Sequence, residues 1–332
     1  MNHFWRLARS YSVSMMLILA LTSLAAVPAS GQARPTGISD AELVHSLQGF
    51  KSGDADVNGI RLHYVEGGKG RPLVLLPGWP ETWWEYHKIM PTLAKQFHVI
   101  SVDMRGMGLS SKPEDGYDTK TMAKDIYALV QHLGYDKVDV AGHDTGAAVA
   151  FAYAAIYPQA TRKLAIMDVP HPDETWMQIP MLPAAGKFGT KIDDQHPGYV
   201  WWFAFQQVKG LPERLLDGRI DIYINFCLDY LTKDSSSIDE FDRKVYVSEY
   251  SVRANDAWFQ AIPQDALDVK QFPKLEMPVL GLGSVGYEWL KASLAPKATH
   301  ARIVKIENSS HFFPEEQPVV TAKELAGFFN EP

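Results

Sequence analysis

From about residue 60 onward, short apolar segments typical of strands alternate with longer segments of helical character. Residues 72–76 read PLVLL, a continuous apolar run of the kind found in strands that are buried on both faces. This order predicts a mostly parallel sheet with crossover helices on both faces. The predicted strands are residues 60–65, 72–76, 99–102, 138–141, 164–167, 279–282 and 303–306, and the predicted helices are 121–133, 145–157 and 320–329.

The alternation stops for about a hundred residues between Met167 and Pro278. A structureless loop of that length is improbable inside a compact domain. Aromatic segments with helical patterning occur at residues 199–207 and 220–231, so we expect a helical cap folded over the sheet. The predicted organisation is a signal peptide at residues 1–33, a first core segment at 34–172, a cap at 173–265 and a second core segment at 266–332.

The N-terminus has the features of a targeting segment. Arg6 and Arg9 precede an apolar run at residues 13–27, and small residues follow it. This pattern predicts a secretory signal peptide, cleaved after Ala29 or Ala33. An uncleaved membrane anchor is the alternative, although the run is shorter than the roughly 20 residues that span a bilayer. We therefore expect a secreted or periplasmic protein that has no membrane association after cleavage.

Composition narrows the possible partners. The 332 residues carry a net charge of −7, which argues against nucleic acid as a partner, since phosphate contacts need a basic surface. A single cysteine, Cys227, permits no internal disulfide and no zinc site built from several cysteines. We expect no metal and no cofactor. The expected partner is a small apolar organic substrate, bound by a monomer or a homodimer.

Residues 142–146, with the sequence GHDTG, directly follow a predicted strand and precede an alanine-rich helix. Small residues on either side of a reactive one are typical of a nucleophile elbow, a sharp turn that raises one side chain above the sheet. Gly142 and Gly146 suit this turn because larger side chains would collide with the neighbouring backbone. The raised residue is Asp144 rather than serine or cysteine. The alternative interpretation is that Asp144 only caps the following helix.

Together with four further motifs, the elbow resembles the α/β-hydrolase superfamily, in particular its branch with an aspartate nucleophile, the epoxide hydrolases and dehalogenases. The resemblance covers residues 54–329 and implies an α/β-hydrolase fold with an inserted helical cap. The motifs are PGWPE at 77–81, DMRG at 103–106, DVPHPD at 168–173 and SHFFPEE at 310–316.

An aspartate that attacks carbon becomes an alkyl ester, and turnover then needs water activated by a base. The resemblance assigns this base to His311, while His143 is expected to point away and support the elbow. The acid that orients the base has two candidates, Asp168 and Glu288. Asp168 is preferred because it lies in the better-matched motif, where some epoxide hydrolases and fluoroacetate dehalogenases carry this acid.

The resemblance also places an oxyanion hole at the backbone N–H groups of Trp79 and Thr145. It implies a cis peptide between Trp79 and Pro80. Pro77 stands where the family carries a histidine, and we therefore expect one supporting hydrogen bond of this turn to be lost.

The leaving group separates epoxide opening from dehalogenation. An epoxide gives an alkoxide that needs a proton, and the resemblance places the usual acids at Trp202 and Phe259, neither of which is acidic. A halide needs no proton but benefits from N–H donors, and Trp202, Trp79 and Trp201 carry them. Thr145, however, replaces the arginine or tryptophan expected in dehalogenases.

Four other side chains are candidates to protonate the alkoxide, namely Tyr250, Tyr246, Tyr199 and His171, and each has a plain packing role as its alternative. We place Tyr250, Tyr199 and His171 in the substrate pocket together with Trp202 and Phe259. The predicted function is epoxide hydrolysis to vicinal diols. The alternatives are a hydrolytic dehalogenase of small halo-organics and a non-catalytic ligand-binding protein on the same fold.

Overall fold

The seven predicted strands and one further strand assemble into one eight-stranded sheet. A computed structural model describes residues 38–187, 189, 191–192 and 199–332 of the chain, so the predicted signal peptide lies outside the described residues. The strands are β1 (Phe50–Val57), β2 (Ile60–Gly67), β3 (Arg71–Leu76), β4 (Phe97–Val102), β5 (Val138–His143), β6 (Thr161–Met167), β7 (Leu275–Gly283) and β8 (Ala298–Lys305).

The strand order is β1-β2-β4-β3-β5-β6-β7-β8. β2 pairs antiparallel with both β1 and β4, and all other pairs are parallel, which confirms the mostly parallel sheet. Leu76 pairs with Gly142, and Met167 pairs with Leu282. The carboxyl ends of β3, β5, β6 and β7 therefore meet at one edge, where sites form in sheets of this kind.

Helices connect and cover the strands. Their bounds are α1 (Asp40–Ser46), α2 (Met90–Leu93), α3 (Thr119–His132), α4 (Thr145–Ile156), α5 (Trp201–Gln206), α6 (Leu211–Leu216), α7 (Ile220–Leu231), α8 (Glu240–Ser248), α9 (Val252–Asp268), α10 (Tyr287–Lys297), α11 (Phe313–Glu316) and α12 (Pro318–Asn330). The predicted helices correspond to α3, α4 and α12. α4 contacts β3, β5 and β6, and nearly all its residues are buried, which explains its alanine-rich composition.

The long interruption between β6 and β7 contains helices α5 to α9. The segment predicted at 220–231 is α7, and the segment at 199–207 contains α5. α9 continues to Asp268, three residues beyond the predicted cap boundary at 265. Among the described residues, no helix combines the length and apolarity needed to cross a membrane.

Outside the cap, the elements without a counterpart in the sequence prediction are β1, α1, α2, α10 and α11. β1 reads FKSGDADV and has only two buried residues, because it lies at the edge of the sheet and pairs only with β2. β8, at the other edge, begins at Ala298 rather than at residue 303, because its first half is polar and exposed. Edge strands carry a weak apolar pattern, which explains these differences.

Candidate active site

Asp144 occupies a strained turn between β5 and α4. Its backbone has φ 49° and ψ −115°, a conformation that residues other than glycine rarely adopt. A Cβ atom at Gly142 would lie 2.1 Å from the carbonyl oxygen of Gly146, and one at Gly146 would lie 2.1 Å from that of Leu76. Both glycines are therefore required sterically, as the elbow motif predicts.

The side chains of Asp144, His311 and Asp168 form a continuous chain. His311 Nε2 lies 3.4 Å from Asp144 Oδ2, and His311 Nδ1 lies 2.6 Å from Asp168 Oδ2. Asp168 and His311 are buried, and their side chains line the same cavity as Asp144. Nδ1 of His311 thus faces the carboxylate of Asp168, while its Nε2 faces the carboxylate of Asp144.

The loop after β7 holds Asp168 in place. The backbone N–H groups of Ser284 and Gly286 donate to Asp168 Oδ1 at 2.8 and 3.0 Å. Glu288, the other candidate for this role, is exposed on α10. The loop after β7 therefore contributes backbone amides that bind Asp168, and it does not contribute an acid of its own.

Gly286→Ala is expected to lower kcat/KM for hydrolysis by about 100-fold, the scale expected when a catalytic group is displaced by about 1 Å. A Cβ atom there would lie 1.8 Å from the carbonyl oxygen of Asp168, so the new methyl group must displace Asp168, whose Oδ2 lies 2.6 Å from His311 Nδ1. Steady-state kinetics with circular dichroism would measure this. Gly327→Ala on α12 is the matched control, since its Cβ meets nothing within 4 Å. Activity of Gly286→Ala within threefold of wild type would contradict the prediction.

The turn after β3 brings a backbone donor to the carboxylate of Asp144. The N–H of Trp79 donates to Asp144 Oδ1 at 3.0 Å, and the Trp79–Pro80 peptide is cis, as the resemblance implies. Thr145 is the first residue of α4, next to Asp144 in the chain. An oxyanion hole formed by the amides of Trp79 and Thr145 stays a prediction.

Pro77 is expected to cost the turn one hydrogen bond, and the side chain of Glu85 supplies one to the same turn. Glu85 Oε2 accepts a hydrogen bond from the backbone N–H of Gly78 at 2.6 Å. His143 is fully buried, and its Nε2 donates to the carbonyl oxygen of His311 at 3.0 Å. His143 therefore points away from the cavity and braces the elbow, as predicted.

Electrostatic interactions favour an ion pair between the Asp144 carboxylate and the His311 imidazolium when the site is free. Burial opposes the charged form of His311, but hydrogen bonds and charges from Asp144 and Asp168 outweigh it and raise the pKa of His311 to about 10. Burial likewise opposes the ionised form of Asp144, but the hydrogen bond and charge of His311 lower the pKa of this carboxyl. Asp144 is thus a carboxylate at neutral pH, as a nucleophile must be.

A cavity of about 260 Å³ lies between Asp144 and the cap. Among the described residues that line it, the only ionisable groups are Asp144, Asp168 and His311. The indole ring of Trp79 is stacked with that of Trp202 at 6.4 Å and meets Phe259 edge-on at 5.4 Å. The aromatic lining consists of Trp79, Trp176, Trp202, Phe203, Phe259 and Trp289.

Trp202 and Phe259 line the cavity as predicted, whereas Tyr199 and His171 do not. Tyr199 lies in a separate groove on the cap, with its ring against that of Tyr230. His171 is buried with its ring against those of Phe151 and Phe272, and its Nε2 lies 2.9 Å from the hydroxyl oxygen of Thr119. Their assignment to the substrate pocket is therefore wrong, because other contacts fix their side chains.

Tyr250 is also not among the residues that line the cavity. Its hydroxyl oxygen accepts the indole N–H of Trp79 at 2.7 Å, so Trp79 does not offer that donor to a leaving group. Trp201 lines the outer cap groove. Tyr246 contributes its hydroxyl to Glu315 rather than to the cavity. Of the predicted indole donors, only Trp202 remains at the site.

Two lining tryptophans were not singled out from the sequence, Trp176 and Trp289. Their rings lie 5.0 Å apart, and the indole nitrogen of Trp176 is buried without a hydrogen-bond partner among the described residues. Trp176 follows the DVPHPD motif by three residues, which is a usable signal. Trp289 lies on α10, which no motif marks.

A mostly parallel sheet, an aspartate at a nucleophile elbow, a histidine facing it and a helical cap define the class of α/β hydrolases. The α/β-hydrolase fold family matches residues 71–208. The chain is 34% identical over 292 residues to the soluble epoxide hydrolase of Corynebacterium sp. (strain C12), which covers 83% of this chain and 96% of the relative. It belongs to this family and is an epoxide hydrolase-like hydrolase.

Two further similarities extend this comparison. The structure of epoxide hydrolase CorEH without ligand aligns with a TM-score of 0.73 and 32% identity, over 84% of this chain and 98% of that one. A fluoroacetate dehalogenase from Burkholderia sp is 29% identical over 190 residues, which are 55% of this chain and 58% of the relative.

Proposed function

We propose that the protein hydrolyses small apolar epoxides to vicinal diols through a covalent alkyl-enzyme ester on Asp144. The observation that carries this proposal is the chain of contacts from Asp144 through His311 to Asp168, which opens into an otherwise apolar cavity. The similarity to proteins named epoxide hydrolase supports the choice of substrate class.

In the first step, the carboxylate of Asp144 attacks an epoxide carbon and the carbon–oxygen bond of the ring breaks. The N–H of Trp79 holds Oδ1, which leaves Oδ2, on the side of His311, to form the new bond. The ring oxygen leaves as an alkoxide and takes a proton from water. The hydroxide so formed accepts the proton of the His311 imidazolium, which leaves His311 neutral for the second step. Because the site is apolar, the carboxylate is only weakly hydrated, and it is therefore a better nucleophile than in water.

In the second step, water attacks the carbonyl carbon of the ester. Esterification removes the charge of Asp144, so His311 loses one of the two anionic partners that raise its pKa, and it becomes a competent base. His311 takes a proton from the water, and Asp168 stabilises the resulting imidazolium. The N–H groups of Trp79 and Thr145 stabilise the oxyanion. Collapse of this intermediate releases the diol and regenerates Asp144.

The cavity favours neutral substrates. The described lining contains no lysine or arginine that would pair with a substrate carboxylate. The many indole and phenyl rings favour aryl and alkyl epoxides, which bury apolar surface against them. Styrene oxide and a short terminal epoxyalkane are suitable first substrates, scored by the diol formed.

Hydrolytic dehalogenation is the second candidate. No hydroxyl group is present among the described lining residues, whereas the indoles of Trp202 and Trp176 are. A halide accepts N–H hydrogen bonds and needs no proton, so this lining suits it. Short haloalkanes, scored by halide release, test this activity, and failure of both substrate classes would favour the non-catalytic alternative.

Trp202→Phe is expected to lower dehalogenation at least tenfold and epoxide opening less than threefold, since a lost hydrogen bond to a charged group costs about 1.5–3 kcal/mol. The variant removes the N–H donor and retains an aromatic ring. Trp201→Phe is the matched control, because Trp201 lines the outer cap groove instead. Both reactions are followed by kcat/KM, and equal losses would remove the proposed role of Trp202 as a halide donor.

A further inference from the structure

Glu85 connects three parts of the site from behind. Its side chain and that of His143 are fully buried beneath the elbow. Glu85 Oε2 accepts the N–H of Gly78 at 2.6 Å, in the turn that carries Trp79. Glu85 Oε1 lies 3.2 Å from Nδ1 of His143, whose Nε2 lies 3.0 Å from the carbonyl oxygen of His311. The three parts are thus the Trp79 turn, the elbow and the loop of His311.

The proton on His143 is fixed by its partners. A carbonyl oxygen only accepts hydrogen bonds, so Nε2 must carry a proton and donate it to His311. Nδ1 lies 3.2 Å from Glu85 Oε1, and neither atom has another hydrogen-bond partner among the described residues. A chain of close polar contacts therefore runs from Gly78 through Glu85 and His143 to His311.

We propose that Glu85 is a positioning residue that acts chiefly in the second step, the cleavage of the alkyl-enzyme ester. This inference rests on the proposed function. Glu85 holds the turn of Trp79, whose N–H stabilises the oxyanion, and through His143 it holds the backbone of His311, which activates water. The N–H of Trp79 and the imidazole of His311 must be aligned at the same time in ester hydrolysis. The attack by Asp144 uses the N–H of Trp79 but does not need His311 as a base.

A second buried acid, Glu81, lies beside this pair. Its carboxyl oxygens have no hydrogen-bond partner among the described residues, and one ligand atom each from Glu81, Glu85 and His143 lie within 4.8 Å of one another. A divalent cation held by these three groups would give Glu85 a different role. A glutamate elsewhere in the core provides the matched control: Glu66 on β2 is buried and pairs with Lys51 and His98.

The test separates the two steps by single-turnover kinetics with styrene oxide, with the alkyl-enzyme followed by intact mass. Glu85→Leu is expected to slow ester hydrolysis at least tenfold and alkylation less than threefold, so that the alkyl-enzyme accumulates. Glu85→Gln is expected to restore hydrolysis to within threefold of wild type, because its amide can accept from Gly78 and donate to Nδ1 of His143. Glu66→Gln is expected to leave both rates within twofold.

Equal slowing of both steps by Glu85→Leu, or failure of Glu85→Gln to restore hydrolysis, would overturn the proposal. If Glu85→Leu does not fold, imidazole ¹⁵N NMR of the wild type tests the contact between His143 and the His311 backbone. A slowly exchanging proton on Nε2 of His143 is then expected. An unprotonated Nε2, or one equivalent of divalent metal by elemental analysis, would refute it. A wild type that forms no alkyl-enzyme contradicts the proposed function itself, whereas an alkyl-enzyme unaffected by Glu85→Leu contradicts only this inference.

Discussion

Asp144→Asn is expected to lower kcat/KM for epoxide hydrolysis by about four orders of magnitude or more, on the scale seen when a covalent nucleophile is removed. The amide keeps the shape of the side chain and can still accept the N–H of Trp79 through its oxygen. It carries no charge, however, and is a poor nucleophile towards carbon. Asp136→Asn, at an exposed position just before β5, is the control and is expected to retain full activity.

Isotope labelling tests the same step without a substitution. In a single turnover in ¹⁸O-water, the first diol released by the wild type is expected to contain unlabelled oxygen from Asp144, and the label is expected to appear in the Asp144 carboxyl. Mass spectrometry of diol and peptide measures both. Label entering the first diol directly would mean that Asp144 acts as a base and forms no ester.

His311→Gln is expected to stop the reaction after the first step and to reduce kcat by about 1,000-fold or more, since the base that activates water is lost. Asp144 remains able to attack, so the protein is expected to gain the mass of one substrate molecule. The structural basis is that Nε2 of His311 faces Asp144, where the ester forms.

Intact mass spectrometry after mixing with excess epoxide detects the trapped adduct. His300→Gln, at an exposed position on β8, is the control and is expected to show neither an adduct nor a loss of turnover. Absence of any adduct in His311→Gln, together with normal folding, would argue against the two-step mechanism.

The nucleophile elbow is the part of the site that the sequence determines most directly. The steric requirement is local: Gly142 and Gly146 approach backbone within a few residues of the turn or on the neighbouring strand. A strand pattern on one side and an alanine-rich helix on the other then place Asp144 at the edge of the sheet. Local backbone geometry is encoded in short segments, so a motif is sufficient to predict it.

The sequence preferred Asp168 over Glu288 on its motif, but the contacts that hold Asp168 needed the tertiary structure. Both follow strands of the sheet, and only the packing of the loop after β7 shows that Ser284 and Gly286 donate to Asp168. The compensation for Pro77 by Glu85 is of the same kind, because Glu85 is distant from position 143 in sequence yet contacts His143.

The residues that line the cavity were the part of the site least predictable from the sequence. Tyr250 and His171 were placed in it, but each side chain is fixed elsewhere, Tyr250 against the indole of Trp79 and His171 against Thr119. Trp176 and Trp289 do line it, although no strong motif marks them.

The sequence alone determined seven of the eight strands and the elbow, because strand and helix periodicity and steric limits on glycine act over short segments. Its motifs carried the resemblance to the family. Only the tertiary structure decided which side chains face the cavity. The set of side chains that face the cavity depends on the orientation and packing of the cap helices over the sheet. It also depends on which residue, distant in sequence, forms a hydrogen bond with each buried polar group.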